Sequence, residues 1–599
     1  MLGKTVLISA LFLSSCVSGR VIQKNDEFSV KVNQEPLDPQ GNYLLSWDVN
    51  LAAGKITFEV EAPTLGYVGF GISPSGNMIG ADIFIGGVYS NGSTYGFDMH
   101  ATAMAPPILD TQSDWTLISA SEDASKTYLK FSRLLNTCDK DGDYPISNDT
   151  VQVIWSMGSS DTIAYHQSNR GTKSLNFLLP DEDNFNPGDY AHLDIVTDVE
   201  MPQQDTTYWC SIHKIQALNR KQHVVAFEAL LDNELAMNHT HHFIIFKCVA
   251  PAGQDADDLF GPFVSHPGSQ CYATPQPLPV NYCLQHYLFV WAKGGKRMIF
   301  PEDVGYPVPD ELGENQYFLM ELHYDNPQML EGRKFKTGAR IYHTNQLRPV
   351  EAGLLTIAHD LQISFTIPPN QEDFVLTGQC GSQCTNLGIN NLPNGLQVFN
   401  SLLHGHLSAK KMKLRHFRGD KELPWFDVEN HYDFNFQQSK PFPEVKRILK
   451  GDHLTVECTY DSRWNEGKVV VGGLSTREEM CMAFLWYYPK QTFEYCSSYY
   501  RLADHFATLG ITNYTSSKPV NGALREYQIH RPAALAGEYK ESLSTKFSWT
   551  PAFLNEYQDK HKYDVHTSVC RSTSGNLGAG PVQFPENFVE YVPDDKCNQ

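Results

Sequence analysis

Short apolar runs recur along the chain between clusters of Gly, Pro, Asn and Asp, and long apolar stripes with a 3.6-residue period are scarce. That pattern predicts an all-β protein. Runs over 55–61, 67–72, 81–85, 128–131 and 151–155 read as strands of a first sandwich that ends near residue 185, where the Pro/Asp/Asn-rich stretch 179–187 reads as a linker. A second set of strands over 200–350 includes 242–248, 287–292 and 317–323. A third set over 351–500 includes 395–400 and 411–416, the last with Met412 and Leu414 on one face and Lys411, Lys413 and Arg415 on the other. Two jelly-roll-like sandwiches fit these sets. Residues 501–599 carry mixed signals and read as a C-terminal extension, and no repeat of about 20 to 50 residues is apparent.

The first residues change the picture of the cysteines. Lys4, the apolar run 6–13 and small residues to Gly19 have the order of a secretory signal, so residues 1–19 read as a signal peptide. Of 13 cysteines, Cys16 lies inside it, and an even set of twelve follows. An oxidising compartment makes six disulfides the natural reading, among roughly ten thousand possible pairings. A rival reading makes Leu13-Ser14-Ser15-Cys16 a bacterial lipobox; the sequons at Asn91, Asn148, Asn238 and Asn513 favour a glycoprotein of the secretory pathway, secreted or lumenal in the endoplasmic reticulum or a granule. No later stretch approaches about 18 uncharged apolar residues, so no membrane span is expected in the mature chain. With 599 residues, 41% of them hydrophobic, the chain is too long for one core and too apolar for disorder. The net charge of −21, without a local basic patch, excludes nucleic acid as a partner.

Three histidine groups stand out from 22 scattered histidines. In His239-Thr240-His241-His242, neighbours on a regular strand point to opposite faces, so His241 and His242 share one metal only at a strand end or bulge. In His404-Gly405-His406, positions i and i+2 share a face, so two imidazoles meet one ion without distortion, and the glycine between them removes bulk on the other face. In Glu321-Leu322-His323-Tyr324, His323 ends an alternating strand with Glu321 on its own face. Met480 reads by default as a core methionine; joined to a histidine pair, its thioether makes a soft site that selects Cu(I). Cys380 and Cys384 have knuckle spacing but read as bridge ends behind a signal peptide. The paired carboxylates Glu478 and Glu479 read as solvated. No serine-hydrolase elbow, His-Glu-x-x-His, P-loop or dinucleotide fingerprint is present.

Together these segments resemble the copper type II, ascorbate-dependent monooxygenases of the dopamine β-hydroxylase-like group. The resemblance runs from about residue 40 to the C-terminus. It rests on Thr206-Thr207-Tyr208-Trp209-Cys210, His241-His242, Glu321-Leu322-His323-Tyr324-Asp325-Asn326-Pro327, Leu403-His404-Gly405-His406-Leu407, the run 472–481 and Tyr487-Tyr488-Pro489. Upstream, Gly66-Tyr67-Val68-Gly69-Phe70-Gly71 and Ala81-Asp82-Ile83 resemble a DOMON domain, assigned to 20–185, and Ser168-Asn169-Arg170-Gly171-Thr172-Lys173-Ser174-Leu175 is similar to the same group.

The resemblance implies two copper ions per chain with ascorbate as reductant: His241, His242 and His323 hold an electron-storing copper, and His404, His406 and Met480 hold the copper where O2 binds. It gives active-site roles to Tyr208 and His404. Peptide-amidating members grip a peptide carboxylate with an Arg, an Asn and a Tyr; here those positions are Leu402, Met482 and Phe484, so a small aromatic, phenethylamine-like substrate is expected, with Glu321 as candidate partner for an amine. The alternative is a non-catalytic secreted copper- or ligand-binding glycoprotein. In the DOMON part, Met78, Met99, His100 and Met104 are the groups a haem would draw on, although the hydroxylase members are not haem proteins, and Asp82, Asp98 and Asp114 offer oxygen ligands for calcium or sodium. The implied bridges pair Cys138 with Cys597, Cys210 with Cys271, Cys248 with Cys283, Cys380 with Cys496, Cys384 with Cys570 and Cys458 with Cys481. Counterparts of two subunit-linking cysteines are absent, so no interchain disulfide is expected. The hydrophobic tail of some relatives is also missing, which argues against an anchor.

Overall fold

A computed structural model of the chain describes residues 33–179, 185–215, 219–273, 275–308, 312–517, 525–593 and 597. The expected signal segment 1–19 and Cys16 lie outside the described residues. Strands dominate, and they assemble into paired antiparallel sheets along the chain.

The first sandwich stacks a five-stranded sheet on a six-stranded one. In the strand Lys55–Ala62 every second residue is buried, Ile56, Phe58, Val60 and Ala62, as a sheet with one wet face requires. Phe58, Phe70, Phe84, Phe131 and Trp115 fill the space between the sheets, with Phe84 and Phe131 stacked at 4.3 Å. The expected cation ligands take protein partners. Asp82 pairs with the buried Arg133 guanidinium and accepts from Trp115 Nε1 at 2.6 Å, and Asp98 accepts the backbone N–H groups of Asp114 and Trp115. The third carboxylate beside Asp82 and Asp98 is Asp143, not Asp114.

Five strands of the next two units carry the site: β1 (Thr206–Ile215), β2 (Thr240–Cys248), β3 (Gln316–Asp325), β4 (Leu396–His404) and β5 (Met482–Tyr488). In the second unit β3 lies between β1 and β2, antiparallel to both, and every residue but the last, Asp325, is buried. In the third unit β4 pairs with β5 inside a seven-stranded sheet. Phe399 and Leu402 from β4, and Phe484 and Trp486 from β5, pack into the same core as Phe227, Phe243 and Phe289 of the second unit. One continuous apolar core therefore fixes the two units face to face.

The chain beyond residue 500 is woven into the third unit. His566–Ser572 pairs antiparallel with Phe493–Tyr500, and Tyr557 and His561 of the helix Pro551–Tyr563 are buried. This explains one departure from the alternating pattern. Arg415, on the polar face of Ala409–Arg418, is 8% exposed because Phe584 and Phe588 cover its guanidinium, which pairs with Glu422 at 2.6 Å. All six disulfides form within the chain: Cys138–Cys597, Cys210–Cys271, Cys248–Cys283, Cys380–Cys496, Cys384–Cys570 and Cys458–Cys481. No helix among the described residues is long and apolar enough to cross a membrane.

Candidate metal centre

The first histidine group solves its geometric problem with a bulge. Thr240 pairs with Tyr324 and His242 with His323, so β2 spends one extra residue, His241, against β3. The extra residue turns two consecutive side chains toward one point. His241 Nδ1 lies 3.2 Å from His242 Nδ1, which lies 3.4 Å from His323 Nδ1. Ligand nitrogens about 2.0–2.1 Å from a tetrahedral ion stand about 3.3 Å apart, so these separations fit a metal. Burial holds all three imidazoles well below the usual histidine range, so they are neutral, with one N–H and one lone pair each. His241 Nε2–H donates to the Phe434 carbonyl at 2.7 Å and His323 Nε2–H to Thr476 Oγ1 at 3.1 Å, leaving Nδ1 of each for the ion. His239 turns elsewhere and bonds the Asp325 carbonyl.

The second group uses the opposite nitrogen. β4 ends on His404, and His406 stands just beyond the strand on a tight turn, not on the regular strand face that the spacing predicts. Gly405 is required there: a Cβ would sit 2.9 Å from the Ala409 Cβ, and Tyr432 OH bonds both its N–H and its C=O. His404 Nδ1–H donates to Gln437 Oε1 at 2.8 Å and His406 Nδ1–H to the Glu478 carbonyl at 3.0 Å, which leaves Nε2 as the free ligand on both rings. His406 Nε2 is fully buried without a hydrogen-bond partner among the described residues, as a nitrogen reserved for a metal would be. Burial pushes these imidazoles down to about 4 and about 3. Met480 is 7% exposed and lines the same cavity as His404, so a soft thioether and an imidazole face one space.

Glu479 corrects the reading of a solvated carboxylate. It is fully buried and accepts the N–H of His406 at 2.9 Å, of Met480 at 3.2 Å and of Ser408. It thus ties the histidine turn to the methionine. Burial raises its carboxyl to about 8.

The two groups touch. The rings of His242 and His404 meet edge to face with centroids 5.1 Å apart, and those of His323 and His406 lie 6.1 Å apart. Beside them opens a cavity of about 380 Å³ whose wall includes Tyr208, His242, Glu321, His404, Met480 and the tyrosines 272 and 287. Tyr208 stacks on His323 at 4.6 Å, and its buried hydroxyl has no partner among the described residues. Glu321 accepts from Tyr272 OH at 2.8 Å, and burial lifts its carboxyl to about 7. Leu402, Met482 and Phe484 line the same wall, so no cation or amide stands at those positions.

Other candidates fall elsewhere. In the first sandwich Met78 and Met104 border a separate cavity of about 610 Å³ together with His166, whereas Met99 is buried in a side cluster and His100 bonds Asp110 at 2.5 Å. The four sequon asparagines, 91, 148, 238 and 513, are all exposed. Gln437, Phe434, Glu479 and Tyr272 carry no sequence signal of their own: they reach the site from distant segments or, for Glu479, through main-chain bonds.

Comparison with known proteins agrees with this geometry. Residues 194–331 match the family model for the copper type II ascorbate-dependent monooxygenase N-terminal domain, residues 350–506 that for its C-terminal domain, and residues 39–158 that for the DOMON domain. The chain is 35% identical over 481 residues to human DBH-like monooxygenase protein 1, covering 79% of this chain and 76% of that one. It is 30% identical over 580 residues to bovine dopamine beta-hydroxylase, covering 91% of each. By its fold order, its two histidine groups and these relatives, the chain belongs to the copper type II ascorbate-dependent monooxygenases.

Proposed function

We propose that the protein is a dicopper monooxygenase that hydroxylates a C–H bond of a small aromatic, phenethylamine-like substrate with O2 and ascorbate. The observation that carries this reading is the direct contact of His242, from the three-histidine group, with His404, which shares the wall of one aromatic-lined cavity with Met480. Copper at both centres supplies two one-electron stores, and the softer, sulfur-bearing centre favours the reduced ion that O2 requires.

The chain's own residues do the rest. His241, His242 and His323 present Nδ1, and His404 and His406 present Nε2, each fixed by a bond from the opposite ring nitrogen or by the bulge. Tyr208, flat against His323 in the cavity wall, carries a buried hydroxyl with no partner among the described residues. Leu402, Met482 and Phe484 make a wall that favours an aromatic ring over a peptide carboxylate. Glu321, in the same wall with Tyr272 as its bonded partner, is placed to receive an amine. Six intrachain disulfides support a secretory compartment.

Oxygen uptake by copper-loaded protein with ascorbate, measured with tyramine, dopamine and a peptidylglycine panel, tests this. The amines are expected to stimulate uptake and the peptides to leave it at background. Copper binding with no stimulated uptake would leave a copper-binding glycoprotein instead.

A further inference from the structure

One buried amide joins the two centres. Gln437 is 2% exposed, and its Nε2 donates to the Phe434 carbonyl at 2.8 Å. That bond fixes which way the amide points, because only nitrogen can donate to a carbonyl. Its Oε1 therefore faces His404, accepts Nδ1–H at 2.8 Å, and frees His404 Nε2 for a metal. The same Phe434 carbonyl accepts Nε2–H of His241 at 2.7 Å, which frees His241 Nδ1, and the Phe434 ring stacks on that imidazole at 3.7 Å. Gln437 thus selects the ligating nitrogen of His404 directly and braces the Phe434 carbonyl that selects the ligating nitrogen of His241, on the opposite ring position.

The segment that carries Gln437 is gripped by the first sandwich. Ser174 Oγ donates to Asp433 Oδ2 at 2.6 Å, one residue before Phe434. Asp149 accepts from Asn430 Nδ2 at 2.8 Å, Thr150 N–H donates to Glu429 at 2.8 Å, and Lys440 Nζ reaches the Asn148 carbonyl at 3.3 Å. Contacts from the first sandwich therefore bracket residues 429–440 on both sides of the amide.

We propose that Gln437 is a positioning residue shared by both metal centres, and that the first sandwich holds it in place through Ser174 and Asp149. This rests on the dicopper reading above. It gives the first sandwich a role in the chemistry without a ligand of its own.

The test is copper affinity, read one centre at a time. His406→Ala isolates the His241 centre and His242→Ala the His404 centre, and each background receives Gln437→Ala or Gln437→Glu; copper affinity, Cu(II) electron paramagnetic resonance and melting temperature are recorded for each protein. Loss of a bond behind a ligand typically costs tenfold to a hundredfold in metal affinity. Gln437→Ala is expected to weaken both centres by about tenfold or more. Gln437→Glu keeps the acceptor for His404 and loses the donor to Phe434, so it should spare the His404 centre and shift only the signal of the other. Ser174→Ala should shift both signals in the same sense as Gln437→Ala with smaller amplitude. Affinities within about twofold of the parent at either centre in Gln437→Ala would overturn the proposal, as would equal losses from both substitutions that track a lowered melting temperature. Wild-type protein that takes up no copper would instead remove the dicopper reading, whereas unaltered Gln437→Ala centres in copper-binding protein would remove only this one.

Discussion

The imidazoles of His242 and His404 stand edge to face, 5.1 Å between centroids at 89°, with no residue between them. They belong to different units, so on the dicopper reading proposed above the two centres are one ring contact apart. His242→Ala removes a ligand and that contact together. It should lower bound copper by about one ion per chain and turnover by at least about a hundredfold, since small misplacements at a reacting centre already cost that much. Metal analysis and single-turnover kinetics check both halves; full turnover with the lost ion would refute the assignment.

On the dicopper reading Met480 makes one centre softer than the other. Met480→Ala should abolish ascorbate-dependent hydroxylation while the Cu(II) resonance of the His241, His242 and His323 centre persists, because those three ligands do not depend on it. Intact turnover in this variant would mean that the thioether is a core side chain.

Glu321 is a carboxylate in an aromatic wall, bonded to Tyr272 alone among the described residues. Glu321→Gln should raise KM for tyramine roughly tenfold to a hundredfold with little change in kcat, the loss expected for a hydrogen bond to a charged group. A neutral analogue without the amine should show no such rise. Equal effects on both would mean that Glu321 shapes the wall without recognising the amine.

The third unit buries histidines away from the metal centres. Burial takes His453 and His505 down to about 3 and His566 to about 4, and His561 well below its ordinary value. The folded values lie below the unfolded one of about 6.5, so the stability they contribute is fully present above that pH and is lost as pH falls toward 4. The melting temperature of the metal-free protein should therefore drop steadily between pH 7 and 4. A flat profile over that window would show that these groups gain protons in the fold.

The sequence made the strands, the three histidine groups and the need for a bulge at His241 legible, because period-two alternation and residue adjacency are local facts. The bulge is found where two adjacent histidines demanded one. Gln437 was not legible: it meets His241 from 196 residues away, and nothing in its neighbourhood differs from an ordinary polar loop. Glu479 was misread for a different reason. Charge next to charge suggests solvent, whereas this carboxylate closes three main-chain donors that no side-chain pattern announces. The burial of Arg415 was not legible, since its cover comes from Phe584 and Phe588, far along the chain.

Oxygen uptake by copper-loaded protein with ascorbate and tyramine tests the central claim most directly. The account predicts uptake that depends on the amine, yields one hydroxylated product per O2 and disappears in Met480→Ala. Copper-loaded protein that consumes no oxygen above background with any amine of the panel, or Met480→Ala protein that keeps the wild-type rate, would contradict it.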